Sequence, residues 1–382
     1  MPNATPGKVP KAADARRQPA IRDFLIAAAG GRILVLRATQ PPWHSYGMRS
    51  SPGDTKVGEN SLIDEYSQYS KPDVAIVGEI NADLILYGLP RELPEEAEIL
   101  ASDLTLTLGS SSAILAHNLR LLGNQVTFSA KVGNDVLGEM CCRKLHDAGI
   151  DLSRVVRSTS GSMTGVTLIL PLTATRRILT YPGTMSELGI EDLDLDFLAT
   201  AKHFHLSSPF LQSKLFPDLP LLFKEMHQRG LTTSLDTNDD PAGKWEGILE
   251  DVLPLVDLLF CTEQELRKLA RAEDTEERIA ARVRFLIVKR GSRGASLYAE
   301  GRRIDAPALQ LHVIDAVGAG DTFDAGFLHQ WIRHAPLETC LAYANLAGGL
   351  SVTRSGGIEA FADEDHRRRF FERHWNRGCL VS

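Results

Sequence analysis

From Asp73 onward, short apolar runs ending in glycine or a polar turn alternate with stretches of helical periodicity, and this alternation constrains the fold most. Asp73-Val-Ala-Ile-Val-Gly78 is a β-branched run closed by glycine, the texture of a strand buried on both faces of a parallel sheet. Ser112–Leu122 reads as a helix stopped at Gly123, Val126–Val132 as the next strand, and Gly138–Ala148 as a helix stopped at Gly149. The rhythm continues through His203–Leu206, Leu219–Arg229, Thr232–Leu235, Leu258–Phe260, Glu263–Ala270, Arg284–Lys289 and Ala319–His334. A βαβ series of this kind predicts three layers, with helices on both faces of a mostly parallel central sheet. Two stretches break the rhythm. Leu84–Leu108, with its Leu104-Thr-Leu-Thr-Leu108 alternation, and Thr164–Tyr181, alternating around a polar turn at Thr173–Arg177, both read as antiparallel strands. They predict a small sheet projecting from the main one.

The 382 residues divide unevenly. Residues 1–70 form a basic stretch: Met1–Gly53 carries Lys8, Lys11, Arg16, Arg17, Arg22, Arg32, Arg37 and Arg49 against Asp14 and Asp23. It shows no sustained period and reads as a disordered or merely appended extension, with a targeting segment as the alternative. Residues 71–370 read as one α/β domain, with lid strands at about 84–108 and 164–181, and residues 371–382 as a tail. A net charge of −7 argues against a nucleic-acid binder. The best apolar run, Phe24 to Leu36, is broken by Gly30, Gly31 and Arg32, so no membrane span is expected. Five cysteines without a CxxC pair point to a reducing, cytoplasmic setting without structural zinc.

Chemistry concentrates in Asp315-Ala-Val-Gly318-Ala319-Gly320-Asp321-Thr-Phe323, where a small-residue turn opens onto an apolar helix. The first N–H groups of a helix lack partners, and the helix dipole adds positive potential. Gly318, Ala319 and Gly320 therefore make an anion site that a phosphate can approach closely. Asp321, in the first turn, would sit beside that anion. A carboxylate there suits proton abstraction from a hydroxyl attacking phosphorus; the plainer reading is a helix start with a capping carboxylate. No GxxxxGK[ST] loop occurs, and the spacing excludes a dinucleotide GxGxxG.

Asp315–Phe323 resembles the C-terminal signature of the ribokinase-like (PfkB) carbohydrate kinases, and the resemblance extends over about Asp73 to Ala362. Gly78-Glu-Ile-Asn81-Ala-Asp83 is similar to the first-strand motif that grips sugar hydroxyls, and Gly109-Ser110-Ser111-Ser112 to the N-terminal glycine signature. Lys131-Val-Gly-Asn-Asp135-Val-Leu-Gly138 matches a third family motif. The resemblance implies the ribokinase-like α/β fold, with ATP and Mg²⁺ as cofactors and a sugar as substrate. It implies nucleotide contacts from Lys289, Gly291, Ser292 and Gly294, besides Gly318 and Gly320, and an adenine pocket near Asn345. Glu265 keeps the carboxylate of an N-x-x-E motif associated with Mg²⁺, although its asparagine is Thr262 here. Asp236, in Asp236-Thr-Asn238 at a strand's carboxyl end, is a second Mg²⁺ candidate, and Asp315 a candidate for a monovalent cation such as K⁺. Besides Thr262, two positions depart from the pattern: Ser110 stands for a usual second glycine, and Ile114 for a sugar-touching asparagine.

The expectation is an ATP-dependent sugar kinase. Asn81, Asp83, Gly109, Ser110, Ser111 and Arg176 would surround the substrate, and Asp321 would act as base. No nucleic acid or membrane is expected as a partner, and a homodimer through the lid follows from the resemblance. A nucleoside kinase of the same fold, with Ile114 as part of a shelf for the base, is one alternative; a non-catalytic sugar or nucleotide binder is the other. His203-Phe-His205 at period two on a strand reads as structural, as do Cys141 and Cys142 on one helix.

Overall fold

The computed structural model describes residues 25–29, 32–36, 71–172, 176–245, 249–270 and 276–375. The chain divides into two compact units, Met1–Glu65 and Tyr66–Ser382. In the first unit, β1 (Leu25–Ala29) and β2 (Arg32–Leu36) pair antiparallel across Gly30-Gly31. This strand pair lies in a stretch whose sequence shows no sustained period, and it was not expected. The rest of the extension at 1–70 lies outside the described residues, apart from these strands.

The second unit is built on β3 (Val74–Val77), β6 (Val126–Val132), β7 (Asp151–Arg157), β10 (His203–Ser207), β11 (Thr232–Asp236), β12 (Leu258–Thr262), β13 (Phe285–Lys289), β14 (Ala295–Ala299) and β15 (Arg302–Ala306). They form one sheet in the order β15-β14-β13-β12-β11-β10-β3-β6-β7. It is parallel from β13 to β7, with β14 and β15 added antiparallel at one edge. Successive residues of each central strand feed two cores: Val74, Ile76, Leu258 and Phe260 pack with one helical layer, Ala75, Val77, Leu259 and Cys261 with the other. Continuous apolar strands are therefore required, because neither face meets water. Helices Ser111–Leu121, Val136–Asp147, Ala319–Trp331 and Leu337–Ser351 cover the first face, and Leu219–Gln228 and Glu263–Leu269 the second. This is the expected ribokinase-like three-layer α/β arrangement.

β4 (Asn81–Tyr87), β5 (Asp103–Leu108), β8 (Gly165–Pro171) and β9 (Arg176–Tyr181) form a separate four-stranded sheet in the order β5-β4-β8-β9. The two stretches expected as antiparallel strands are each a hairpin, but β4 and β8 pair parallel, joining the hairpins into one layer. Its two faces differ in chemistry. Leu106, Leu84, Leu168 and Leu179 lie directly opposite one another in one cross-strand row; Thr107, Asp83, Thr167 and Thr180 form the next row on the other face.

Helix Glu364–Trp375 runs past the boundary expected at 370, with Phe371 stacked on Tyr343 at 5.3 Å between ring centroids and Trp375 meeting it edge-on at 4.9 Å. The expected tail at 371–382 is thus helical and packed up to Trp375; the remainder lies outside the described residues. Among the described residues, no helix is long and apolar enough to cross a membrane.

Candidate active site

The parallel strands β3, β10, β11, β12 and β13 end at one side of the sheet, where an open α/β fold binds ligands, and β4 of the small sheet starts just past the end of β3. The turn before helix Ala319–Trp331 needs glycine for two reasons. Gly318 has φ +70°, and a Cβ there would lie 2.6 Å from the Gly357 Cα and 3.1 Å from Ile114 Cγ2. No side chain caps this helix, so its first-turn N–H groups have no side-chain partner. Asn118, which sequence reasoning missed, anchors the turn: its Nδ2 donates to Thr322 Oγ1 at 2.8 Å and to the Gly357 carbonyl at 3.0 Å.

Asp321 stands in that helix's first turn. Burial pushes its carboxyl above the ordinary range, as does the nearby charge of Asp236; Lys289, a hydrogen bond from Ser111, and Arg176 on β9 pull it back. Ser111 and Arg176 are therefore brought to Asp321. Opposite, Asn81 and Asp83 project from the same face of β4, both buried. Asn81 Nδ2 donates to Thr167 Oγ1 at 2.8 Å and to Asp83 Oδ1 at 3.3 Å. Gly109 lies against this carboxylate so closely that a Cβ would come within 2.0 Å of Oδ1. Burial, then the charges of Asp321, Glu359 and Asp315, push Asp83 up to about 7. Glu359 itself accepts a short hydrogen bond from the Thr107 hydroxyl.

Ser110 plays a different part from the one expected. Its φ is +72°, the left-handed geometry the usual glycine would adopt. Its hydroxyl caps helix Ser111–Leu121, accepting from Ala113 N at 3.3 Å, and donates to the Glu79 carbonyl at 2.5 Å. It is turned into the fold, away from the cleft. Ile114 is 2% exposed and packs beneath both Gly318 and Gly357, so it supports the turn and offers no shelf to a ligand. Glu79, also missed, is buried with its carboxyl held by the Ser112 hydroxyl at 2.9 Å, and burial pushes its pKa up.

Asp315 is surrounded by donors: Tyr87 Oη at 2.7 Å, Gly356 N at 2.9 Å and Val317 N at 3.0 Å. It knots the small sheet, the turn and the loop after helix Leu337–Ser351. Glu265 closes a capping box with Thr262, accepting from Thr262 N at 2.7 Å while Thr262 Oγ1 accepts from Glu265 N at 3.2 Å. The threonine that replaces the motif's asparagine has thus become a helix cap. Asp236 is 1% exposed and lies against Lys289 Nζ at 3.0 Å; Lys289 reaches Asp324 at 3.0 Å as well. Lys289 therefore points beneath the turn. Among the described residues, no three His, Cys, Asp or Glu side chains gather to hold a metal ion. The carboxylates present fit Mg²⁺ only in the manner usual for phosphoryl transfer, one or two protein oxygens completed by phosphate and water.

On the other side of the turn, Gly291–Arg293 forms a tight turn and Gly294 has φ +92°, its Cα so near the Ala306 carbonyl that a Cβ would lie 2.0 Å away. Asn345 Nδ2 donates to that same carbonyl at 3.0 Å. Gly294 and Asn345 thus meet at one corner, and Ser292 is exposed beside them. Arg290 holds the loop down, bonding Glu263 and Glu276 at 2.7 Å and Ser296 at 2.8 Å. The histidines of β10 form a buried chain through Thr232, Ser234 and Ser207, and Cys141 is buried, so both act in packing.

A family model described as pfkB family carbohydrate kinase matches residues 71–364. An ATP-dependent ribose-1-phosphate kinase of Halopiger xanaduensis is 29% identical over 66% of this chain and 82% of its own. A 5-dehydro-2-deoxygluconokinase of Geobacillus kaustophilus is 23% identical over 81% of this chain and 97% of its own. Among solved structures, a putative ribokinase II from E. coli in complex with ATP and Mg²⁺ superposes with a TM-score of 0.69 at 22% identity, covering 79% of this chain and all of that one. Arabidopsis thaliana ribokinase complexed with ribose and ATP gives 0.66 at 23% identity, covering 82% of this chain and all of that one.

Proposed function

The chain belongs to the pfkB family of carbohydrate kinases, and on that premise we propose that it moves the terminal phosphoryl group of ATP to a hydroxyl of a sugar-like acceptor, with Asp321 as base. The observation that carries this reading is the pairing of an uncapped, glycine-opened helix start with Asp321 in its first turn, across the cleft from Asn81 and Asp83.

In this reading Asp83 and Asn81 accept and donate hydrogen bonds to acceptor hydroxyls, with Gly109 leaving room for the carboxylate. Ser111 orients Asp321, which takes the hydroxyl proton as oxygen attacks phosphorus. Arg176, from the lid, faces the same carboxylate and the incoming negative charge. The N–H groups at Gly318, Ala319 and Gly320 stabilise the transferring group. Gly291, Ser292 and Gly294 line the nucleotide's course toward Asn345. When bound with the nucleotide, Mg²⁺ would supply charge neutralisation between the phosphates; Glu265 would be the protein carboxylate to hold it, since Asp236 is buried against Lys289. Asp315 serves the turn as a hydrogen-bond acceptor; a monovalent cation there would have to share a carboxylate already holding three donors. The small sheet closes over the acceptor and excludes water.

The outer leucine face of that sheet supports a homodimer formed through the lids. Leu104, Leu106 and Leu179 are 55%, 43% and 54% exposed, more apolar surface than a lone lid needs.

The test is an ATP-consumption assay against a panel of sugars, sugar phosphates, sugar acids and nucleosides, run with the parent and Asp321→Asn. At least one non-nucleoside acceptor is expected to be phosphorylated. The variant should lose about 10²–10⁴-fold in kcat with nucleotide affinity unchanged. Equal turnover in the variant would remove Asp321 as base, and nucleosides as sole acceptors would replace the sugar reading.

A further inference from the structure

Asp321 and Asp324 are three residues apart on helix Ala319–Trp331 and so share one face of it. Asp321 serves the cleft; Asp324 lies one turn deeper and is fully buried. Its Oδ2 meets Lys289 Nζ at 3.0 Å, and Lys289 meets Asp236 at the same distance. The three side chains come from different elements: Asp236 from the end of β11, Lys289 from the end of β13, and Asp324 from the helix. Burial pushes the Asp324 carboxyl well above the ordinary carboxylate range, and a hydrogen bond to Asp236 ties the two acids together around the ammonium. The Lys289 ammonium lies 3.4 Å from the position a Gly320 Cβ would occupy, directly behind the backbone of the anion-binding turn.

The charges around the turn give this placement its effect. Asp236, whose carboxyl Lys289 holds below the ordinary range, balances the ammonium, while Glu265 and Asp321 stand close by. A triphosphate arriving at Gly318–Asp321 would meet net repulsion from below without a fixed cation. A lysine on a free stem could swing toward solvent; one clamped between two buried carboxylates cannot.

We propose that Asp324, together with Asp236, is a positioning residue for phosphoryl transfer, holding the Lys289 ammonium beneath the Gly318–Asp321 turn where it opposes the charge of the transferring phosphoryl group. This rests on the kinase reading above and extends it to residues that touch neither substrate. The clamp acts on the terminal phosphates and leaves the nucleoside end untouched.

Removing Lys289 alone would leave two buried carboxylates unpaired and endanger folding, so the main test is the neutral triple variant Asp236→Asn, Lys289→Met, Asp324→Asn. It should melt close to the parent, lose at least about 10²-fold in kcat, and bind ATP roughly ten-fold more weakly by calorimetry, with adenosine affinity unchanged. Asp324→Asn alone should lower kcat roughly ten-fold, yet restoring Asp324 to the triple variant should recover none of that, because the residue acts through Lys289. Parental kcat together with a parental ratio of ATP to adenosine affinity in the triple variant would overturn the proposal. So would a recovery of kcat on restoring Asp324 without the lysine. Were the triple variant not to fold, unchanged kcat in Asp324→Asn alone would overturn it equally. The binding arm also separates the two readings: a parent that phosphorylates no sugar fails the kinase proposal, while the ATP-to-adenosine ratio still decides the clamp.

Discussion

Asp83→Asn should trade substrate binding for stability, and the size of the trade can be worked from the site. Asp83 is buried, faces Asp321, Glu359 and Asp315, and has its pKa raised from 3.8 to about 7. A carboxyl whose folded value lies above its unfolded one favours the folded state when protonated. Its contribution is fully present below the unfolded value and is lost as pH rises through about 7. Between about pH 5 and pH 7 the unfolded chain has released this proton while the folded chain keeps it. At about 1.4 kcal/mol per pH unit, the parent loses about 3 kcal/mol through this one residue by pH 8. Asparagine fills the same space without titrating. In urea unfolding at about pH 5 and about pH 8, the variant should therefore gain about 3 kcal/mol on the parent across the interval, while losing acceptor affinity about 10–100-fold, as loss of a charged hydrogen bond does. Parental acceptor binding should also tighten as pH rises through 7, since the ionised form accepts hydroxyl protons. A stability difference that stays flat with pH would refute the reasoning, because burial and like charge would then not be acting on Asp83.

Three further outcomes follow from the geometry. Gly109→Ala, whose Cβ would lie 2.0 Å from Asp83 Oδ1, should raise the acceptor Kd at least about ten-fold without changing ATP binding by calorimetry; parental acceptor affinity would contradict the contact. Ser110→Ala keeps the strained φ and loses the cap, costing about 1–2 kcal/mol, whereas Ser110→Gly relieves about 1–2 kcal/mol of left-handed strain against the lost hydroxyl bonds and should stay within about 1 kcal/mol of the parent in urea melts. Equal losses in the two would show that strain plays no part. Leu106→Lys on the exposed lid face should convert a dimer to a monomer by light scattering; a parent already monomeric would rule out the lid contact.

The central strands could be read because burial on both faces leaves unbroken apolar runs such as Val74–Val77 and Leu258–Phe260. The edges could not. β7 and β15 carry Asp151, Arg154, Arg302 and Arg303 amid few apolar residues, since one side of each meets water. Helix Leu337–Ser351 escaped for the opposite reason: it is apolar nearly all round and shows no stripe. Motifs whose members are adjacent in sequence, such as Asn81 with Asp83 or Gly318 through Asp321, were legible as units. Partnerships between distant positions were not. Nothing in the spacing announces that Asn118 would hold Thr322, or that Lys289 would lie between Asp236 and Asp324. Side-chain roles at caps were hidden too, since Ser110 and Glu265 look like ligands until their backbone partners are seen.

The bond from Tyr87 to Asp315 has a consequence for how such an enzyme can change. A single strand, β4, carries Asn81 and Asp83 at one end and Tyr87 at the other, and Tyr87 grips the carboxylate that also holds Val317 and Gly356. On the proposed reading, acceptor choice and turn geometry are therefore written on the same seven residues. A mutational search for new acceptors that alters β4 would disturb the turn with every step. β8 offers more freedom at Thr167, which meets Asn81 and Thr180, than at Ile169, which packs on Val317 of the turn.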